Sequence, residues 1–132
     1  DTIKNYSFLK DIILRIKEHE IRTSIFIDPI EEMIKSAKEL GTDRIELNTE
    51  SYASDFQRNK EISIKPFIKS ADLAHNLGLE INAGHDLNLQ NLNYFKTKVR
   101  NLKEVSIGHA LICDALYFGL ENTIQMYKRN LN

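Results

Sequence analysis

Two histidines in this 132-residue sequence directly follow glycines and could take part in acid–base chemistry. His85 follows Gly84 after the apolar run "LEINA", and His109 follows Gly108 after "VSI". Imidazole titrates near neutral pH, so a histidine at the end of a strand can give or take a proton there. The two pairs therefore indicate a site of proton transfer, although Gly-His turns also occur in proteins that bind nothing.

Two carboxylates, like the two histidines, lie at or near the ends of predicted strands. Glu46 lies between Ile45 and Leu47, so strand alternation points its side chain away from theirs, and a carboxylate buried there is costly unless it is paired. Asp28 precedes Pro29 and is most simply a helix cap, with Pro29 at the first helical position. Carboxylates and imidazoles at one edge of a sheet could perform acid–base catalysis or ligate a divalent metal. The residue types alone leave both possibilities open.

The segment "SIGHAL" places Gly108 where a strand turns directly into a helix. Glycine allows a tight turn and close approach of the backbone to a ligand, and the first turn of a helix offers N–H groups to an anion. We therefore predict that Gly108 and His109 hold a phosphate group. Cys113 follows within an apolar helical stripe, which predicts a small core residue.

Alternating strands and helices position these residues. We predict parallel strands at 23–27, 44–47, 79–82 and 104–107, joined by right-handed helical crossovers. The predicted helices are 3–19, 31–40, 61–78, 88–99 and 109–131, with a long polar loop before the third and Pro66 in its early part. These strand ends would bring Asp28, Glu46, His85 and His109 to one edge.

A (β/α)8 barrel explains this pattern better than a doubly wound sheet. A doubly wound sheet normally carries a glycine-rich phosphate loop after its first strand, and "SIFIDPIEE" contains no glycine. Four strand–helix units are half a barrel, and 132 residues are about half of the roughly 250 typical of that fold. We therefore predict an α/β fold, half of a (β/α)8 TIM barrel.

Composition excludes several classes of protein. Eighteen basic residues against nineteen acidic ones give a net charge of -1, so no long-range field attracts nucleic acid or an anionic membrane. A single cysteine excludes an internal disulfide and a thiolate metal cluster. Without a signal peptide or a membrane-spanning apolar run, we expect a cytoplasmic protein with no nucleic-acid or membrane partner.

Four segments together resemble a known family. "SIFIDP", "RIELNTESYA", "LGLEINAGHDLN" and "VSIGHALICDALYFGLENTIQMYKR" are similar, in order and spacing, to the C-terminal half of the pyridoxine 5'-phosphate synthase family. The resemblance implies a (β/α)8 barrel of which residues 1–132 form the second half, the N-terminal half being missing. It implies condensation of 1-deoxy-D-xylulose 5-phosphate with 3-amino-2-oxopropyl phosphate, no metal or organic cofactor, and a homo-oligomer.

The resemblance also implies residue roles. Glu46 would stabilise charge in the transition state, His85 would be the proton donor, and Gly108 and His109 would hold the phosphate of the amino-ketone. Asp86 stands where the family usually has a glycine whose backbone contacts phosphate, and we expect it to be a substrate- or phosphate-binding residue together with Gly108 and His109. We expect its carboxylate to turn away and cap the helix that begins near residue 88.

The segment after the second strand also departs from the family. This chain has Asn48, Thr49 and Glu50 where many members read His-Thr-Gly. The family's remaining catalytic bases and its pentulose-phosphate contacts lie in the missing half, so this chain alone is expected to be inactive.

Two alternatives remain open. One is a metal-dependent sugar-phosphate epimerase or isomerase of the same fold, in which Glu46, His85 and His109 would be metal ligands. The other is a non-catalytic half-barrel fragment that binds its missing half. The two open strand edges of a half-barrel favour such pairing, because soluble proteins normally cover unpaired edges.

Overall fold

The structure, a computed structural model, describes residues 1–132. Its four strands are β1 (Ser24–Ile27), β2 (Arg44–Leu47), β3 (Glu80–Gly84) and β4 (Leu102–Ser106). Its seven helices are α1 (Tyr6–Glu18), α2 (Glu31–Leu40), α3 (Glu50–Ser63), α4 (Lys65–Asn76), α5 (Leu92–Lys98), α6 (His109–Phe118) and α7 (Leu120–Leu131). No helix is both long enough and apolar enough to cross a membrane.

The strands form one parallel sheet in the order β1-β2-β3-β4. The register pairs Glu46 of β2 with Asn82 of β3, and Asn82 with Glu104 of β4. This arrangement confirms the four predicted parallel strands. Because all strands run in one direction, their carboxyl ends meet at the same edge of the sheet.

The two faces of the sheet differ in polarity. Ile45, Leu47, Ile81 and Ala83 are buried in the apolar core between the sheet and the helices. The alternating positions, which include Glu46, lie on the opposite face, because successive side chains of a strand point to opposite sides. The apolar face therefore stabilises the fold, and the polar face is available for chemistry.

The predicted polar loop after β2 is wrong, because residues 50–63 form α3. Tyr52 anchors this polar helix: it is fully buried, and its ring packs edge-on against Phe67 and Phe95 with centroid distances of 5.8 and 5.0 Å. Its hydroxyl donates to the carbonyl of Asn91 at 2.7 Å. Helix α4 carries Pro66 near its start, as predicted.

The predicted helices over 88–99 and 109–131 also need correction. The first is shorter, since α5 begins only at Leu92, and the second is two helices separated by Gly119, whose φ of 78° lies in the left-handed region. No residue of α6 is buried. Cys113 is therefore exposed, and the core role predicted for it is wrong. A helical apolar stripe shows which residues share a face, but it does not show that another element covers that face.

Candidate active site

A cavity of about 640 Å³ opens at the carboxyl ends of the first three strands. Six residues line it: Phe26, Glu46, Asn48, Glu50, His85 and Asp86. The structure thus brings together Glu46, His85 and Asp86 of the predicted site. It leaves Gly108 and His109 outside the lining, at the start of the adjacent helix α6.

Glu46 is half-buried on β2 and faces this cavity. Burial, followed by the negative charge of Glu104, raises the pKa of Glu46, while the positive charges of His85 and Arg44 act in the opposite direction. A carboxyl group with a raised pKa stays protonated to a higher pH than an ordinary glutamate. Such tuning toward neutrality is typical of groups that exchange protons.

A network of charges lies beside Glu46 on the polar face. The buried guanidinium of Arg44 binds Glu104 Oε2 at 2.7 Å through Nη1 and Glu80 Oε2 at 2.8 Å through Nη2. The hydrogen bonds that Arg44 donates to the carboxylates of Glu104 and Glu80 raise the pKa of its guanidinium. This network was not predicted from the sequence, although strand alternation places Arg44 on the same face as Glu46.

His85 lies in a turn in which its own backbone conformation is unfavourable. Its φ of 27° is positive, which is uncommon for a residue other than glycine. The positive φ falls on His85 itself and not on the glycine before it. Gly84 is needed because a Cβ there would lie 2.0 Å from the carbonyl oxygen of Ser106 on β4. Close packing of β3 on β4 therefore requires the glycine, and His85 takes the strained position.

Asp86 does not cap the next helix, contrary to the expectation. Helix α5 begins at Leu92, and no side chain caps its amino end. Instead, Oδ2 of Asp86 is buried without a hydrogen-bond partner in the protein. A buried carboxylate oxygen in this state is costly, so it would readily accept a hydrogen bond from a bound molecule.

Asp28 does not cap a helix either. Helix α2 begins at Glu31 after Ile30, with no side-chain cap, so Pro29 lies before the helix rather than at its first position. Asp28 accepts a hydrogen bond from Asn48 Nδ2 at 2.9 Å. The carboxylate therefore ties the end of β1 to the segment after β2 at the edge of the cavity.

Gly108 and His109 form the start of α6, as predicted. Gly108 has an ordinary negative φ of -107°, so the turn itself does not require glycine, and a Cβ there would meet nothing within 4 Å. The first helical bond runs from the Ile112 N–H to the Gly108 carbonyl, so the preceding N–H groups have no partner within the helix. His109 is exposed, with Nε2 3.6 Å from Cys113 Sγ.

No group of three or more His, Cys, Asp or Glu side chains is arranged to hold a metal ion. Glu46 and His85 share the cavity, and His109 does not line it. The ligand set of the epimerase alternative is therefore not assembled. The cavity brings together one imidazole and three carboxyl groups. Such a set can exchange protons with a bound molecule, and its carboxylates can attract a cationic group.

Comparison with known proteins gives the family. The model described as "Pyridoxal phosphate biosynthesis protein PdxJ", a TIM-barrel family, matches residues 1–132. Proteins named pyridoxine 5'-phosphate synthase are 58% identical in Cytophaga hutchinsonii, 56% in Christiangramia forsetii and 50% in Bacteroides fragilis, each over 131 residues. The match covers 99% of this chain and 55% of each relative, so the chain spans about half the length of these curated relatives. The match over the whole chain and these identities show that the chain belongs to the PdxJ family.

Proposed function

We propose that this chain is the C-terminal half of a pyridoxine 5'-phosphate synthase. In this proposal it condenses 1-deoxy-D-xylulose 5-phosphate with 3-amino-2-oxopropyl phosphate once the N-terminal half completes the barrel. The observation that carries the proposal is the meeting of Glu46 and His85 in one cavity at the carboxyl ends of parallel strands. Active sites of (β/α)8 barrels lie at this end of the sheet.

Ring closure requires an imine to form, protons to move and hydroxyl groups to leave as water. The exposed imidazole of His85 can protonate a leaving hydroxyl group, because a positioned imidazolium is an effective general acid. Formation of an imine places positive charge on nitrogen, and the carboxylate form of Glu46 would stabilise that charge. The two groups thus supply complementary roles around one carbonyl compound.

Asp86 fits the amino end of the substrate better than a phosphate. Its unpaired buried oxygen can accept a hydrogen bond from an amino group, whereas two negative charges would repel each other. Phosphate would instead lie at Gly108 and His109, next to the cavity. Ser106, two residues before Gly108, pairs with Gly84, which directly precedes His85.

We expect inorganic phosphate to bind at the start of α6. The unpaired N–H groups there carry the positive end of the helix dipole, and His109 adds a hydrogen bond when it is protonated. Titration of the chain with phosphate should shift the amide signals of residues 107–111. Gly108→Val should abolish these shifts by filling the space above the N–H groups, and His109→Ala should weaken them.

The Gly108→Val variant is expected to fold normally, because a Cβ at that position meets no neighbour. Loss of phosphate shifts can therefore be assigned to the site rather than to unfolding. Equal shifts in Gly108→Val and the unmodified chain would exclude the phosphate role, and His109 would then be only the first residue of a helix.

The unpaired edges of the sheet indicate where the missing half of the barrel would bind. Strands β1 and β4 each have a neighbour on one side only, and Phe26 of β1 is 53% exposed. We place the N-terminal half of the barrel against these edges, where its strands would continue the parallel pairing. The assembled protein is proposed to be a cytoplasmic homo-oligomer that acts on small phosphorylated substrates.

The stoichiometry of the reaction tests the proposed function. The assembled barrel should release one inorganic phosphate for each pyridoxine 5'-phosphate formed, and only when both substrates are present. Phosphate release and product formation can be measured in the same sample. Isomerisation of the pentulose phosphate alone, activated by an added divalent metal, would contradict the proposal and favour the epimerase alternative.

A further inference from the structure

Thr49 contacts the backbone on both sides of His85. Its side chain is fully buried at the end of β2. The Oγ1 hydroxyl donates to the carbonyl of Gly84 at 2.7 Å and accepts a hydrogen bond from the N–H of Asp86 at 3.3 Å. One hydroxyl of a neighbouring strand segment thus holds the residue before His85 and the residue after it.

Thr49 makes these contacts in place of a more usual one. It is the residue before α3, and its carbonyl accepts the first helical hydrogen bond, from the N–H of Ala53. A threonine at this position ordinarily uses its hydroxyl to accept a bond from an N–H in the first turn of its helix. No such bond is present. The hydroxyl is used between strands and leaves its own helix without a side-chain cap.

The turn that Thr49 holds needs restraint. The positive φ of His85 is unfavourable for a residue with a Cβ, and such conformations persist only where surrounding contacts enforce them. The turn closes with its own bond from the Leu87 N–H to the Gly84 carbonyl at 2.8 Å. That bond joins the two ends of the turn, Gly84 and Leu87, but it does not hold the peptide between His85 and Asp86. The bond from Asp86 to Thr49 fixes the peptide that follows His85.

We propose that Thr49 is a positioning residue for His85, which holds the strained turn so that the imidazole stays at the cavity beside Glu46. The importance of this orientation for turnover rests on the proposed function. A misplacement of about 1 Å can cost on the order of 10²-fold in rate, so a hydroxyl that never touches substrate can still control catalysis.

Thr49→Val tests this inference, because valine keeps the branched shape and loses both hydrogen bonds. In the 132-residue chain, we expect Thr49→Val to change the backbone amide-to-Hα coupling of His85, which reports φ, and the nitrogen shifts of its ring. In the assembled barrel, kcat should fall by about 10- to 100-fold with KM for both substrates nearly unchanged. Thr49→Ser, which keeps the hydroxyl, should restore most of both signals.

Thr123→Val is the matched control. Thr123 is also fully buried, and its hydroxyl donates to the carbonyl of Gly119 at 2.9 Å, in α7 rather than at the cavity. This variant should lose stability in the ordinary way and leave the coupling and ring shifts of His85 unchanged. If Thr49→Val does not fold, Thr49→Ala removes the same hydroxyl with less crowding and is measured in its place.

Two results would overturn the inference. One is a wild-type coupling and ring signal for His85 in Thr49→Val, and the other is a Thr49→Ser variant that behaves like Thr49→Val, which would make the role one of packing. The nuclear magnetic resonance signals do not depend on turnover. If the assembled barrel makes no product, the proposed function fails, and the signals of His85 still decide the role of Thr49.

Discussion

Replacement of His85 by asparagine in the assembled barrel is expected to lower kcat for pyridoxine 5'-phosphate formation by about 10²- to 10⁴-fold, the usual contribution of a positioned general acid or base. Asparagine retains a polar side chain of similar reach but cannot transfer a proton at neutral pH. KM should change little, because the proposed phosphate contacts belong to the start of α6. Steady-state kinetics with both substrates measures the two constants separately.

His75→Asn is the control for this substitution. His75 is an exposed histidine on α4, on the helix side of the sheet and outside the cavity. Its replacement should leave kcat and KM unchanged. A His85→Asn enzyme that retains more than about half of the wild-type kcat would show that another group donates the proton.

Local sequence patterns were sufficient to predict the strands and the edge of the sheet at which Glu46 and His85 lie, while the roles of the two residues are proposals. The alternation correctly separated the face of Glu46 from that of Ile45 and Leu47, which are both fully buried. His85 follows a strand that a glycine ends. Because the carboxyl ends of parallel strands share one edge, the strand pattern predicts that Glu46 and His85 lie together, and both line one cavity.

Local interpretation fails where the deciding partner is distant along the chain or where no partner exists. Asp28 and Asp86 both precede predicted helices, and local capping was the simplest interpretation of each. The partner of Asp28 is instead Asn48, twenty residues away. Gly84 is required by the backbone of Ser106 on the next strand. Neither partner could be identified from the residues nearby.

Helix α3 shows the same limitation for secondary structure. Its sequence is polar, but Tyr52 and Phe56 pack against aromatic rings on α4 and α5. Tertiary packing of this kind stabilises an element that local periodicity did not reveal. The ion pairs of Arg44 were missed for a related reason, since their partners lie on β3 and β4.

The 132-residue chain by itself is expected to make no pyridoxine 5'-phosphate. Its sheet has two unpaired edges, and Glu104 of the polar face has a side chain that is 53% exposed. Addition of the other half of the barrel would pair both edges and enclose this face, which would remove water from the cavity and strengthen the electrostatic contacts there. The part of the Cytophaga hutchinsonii synthase that this chain does not cover is a suitable complement, since its other part is 58% identical to this chain.

The most direct measurement is therefore product formation by the chain alone and by the chain mixed with increasing amounts of that complementary half. We predict no turnover from either half, and turnover that rises with the second half and saturates at a ratio of one to one. The His85→Asn chain in the same mixture should bind its partner and remain nearly inactive. Robust turnover by the 132-residue chain alone, or a saturated mixture that forms no pyridoxine 5'-phosphate, would contradict the assignment of this chain as the catalytic C-terminal half of a synthase barrel.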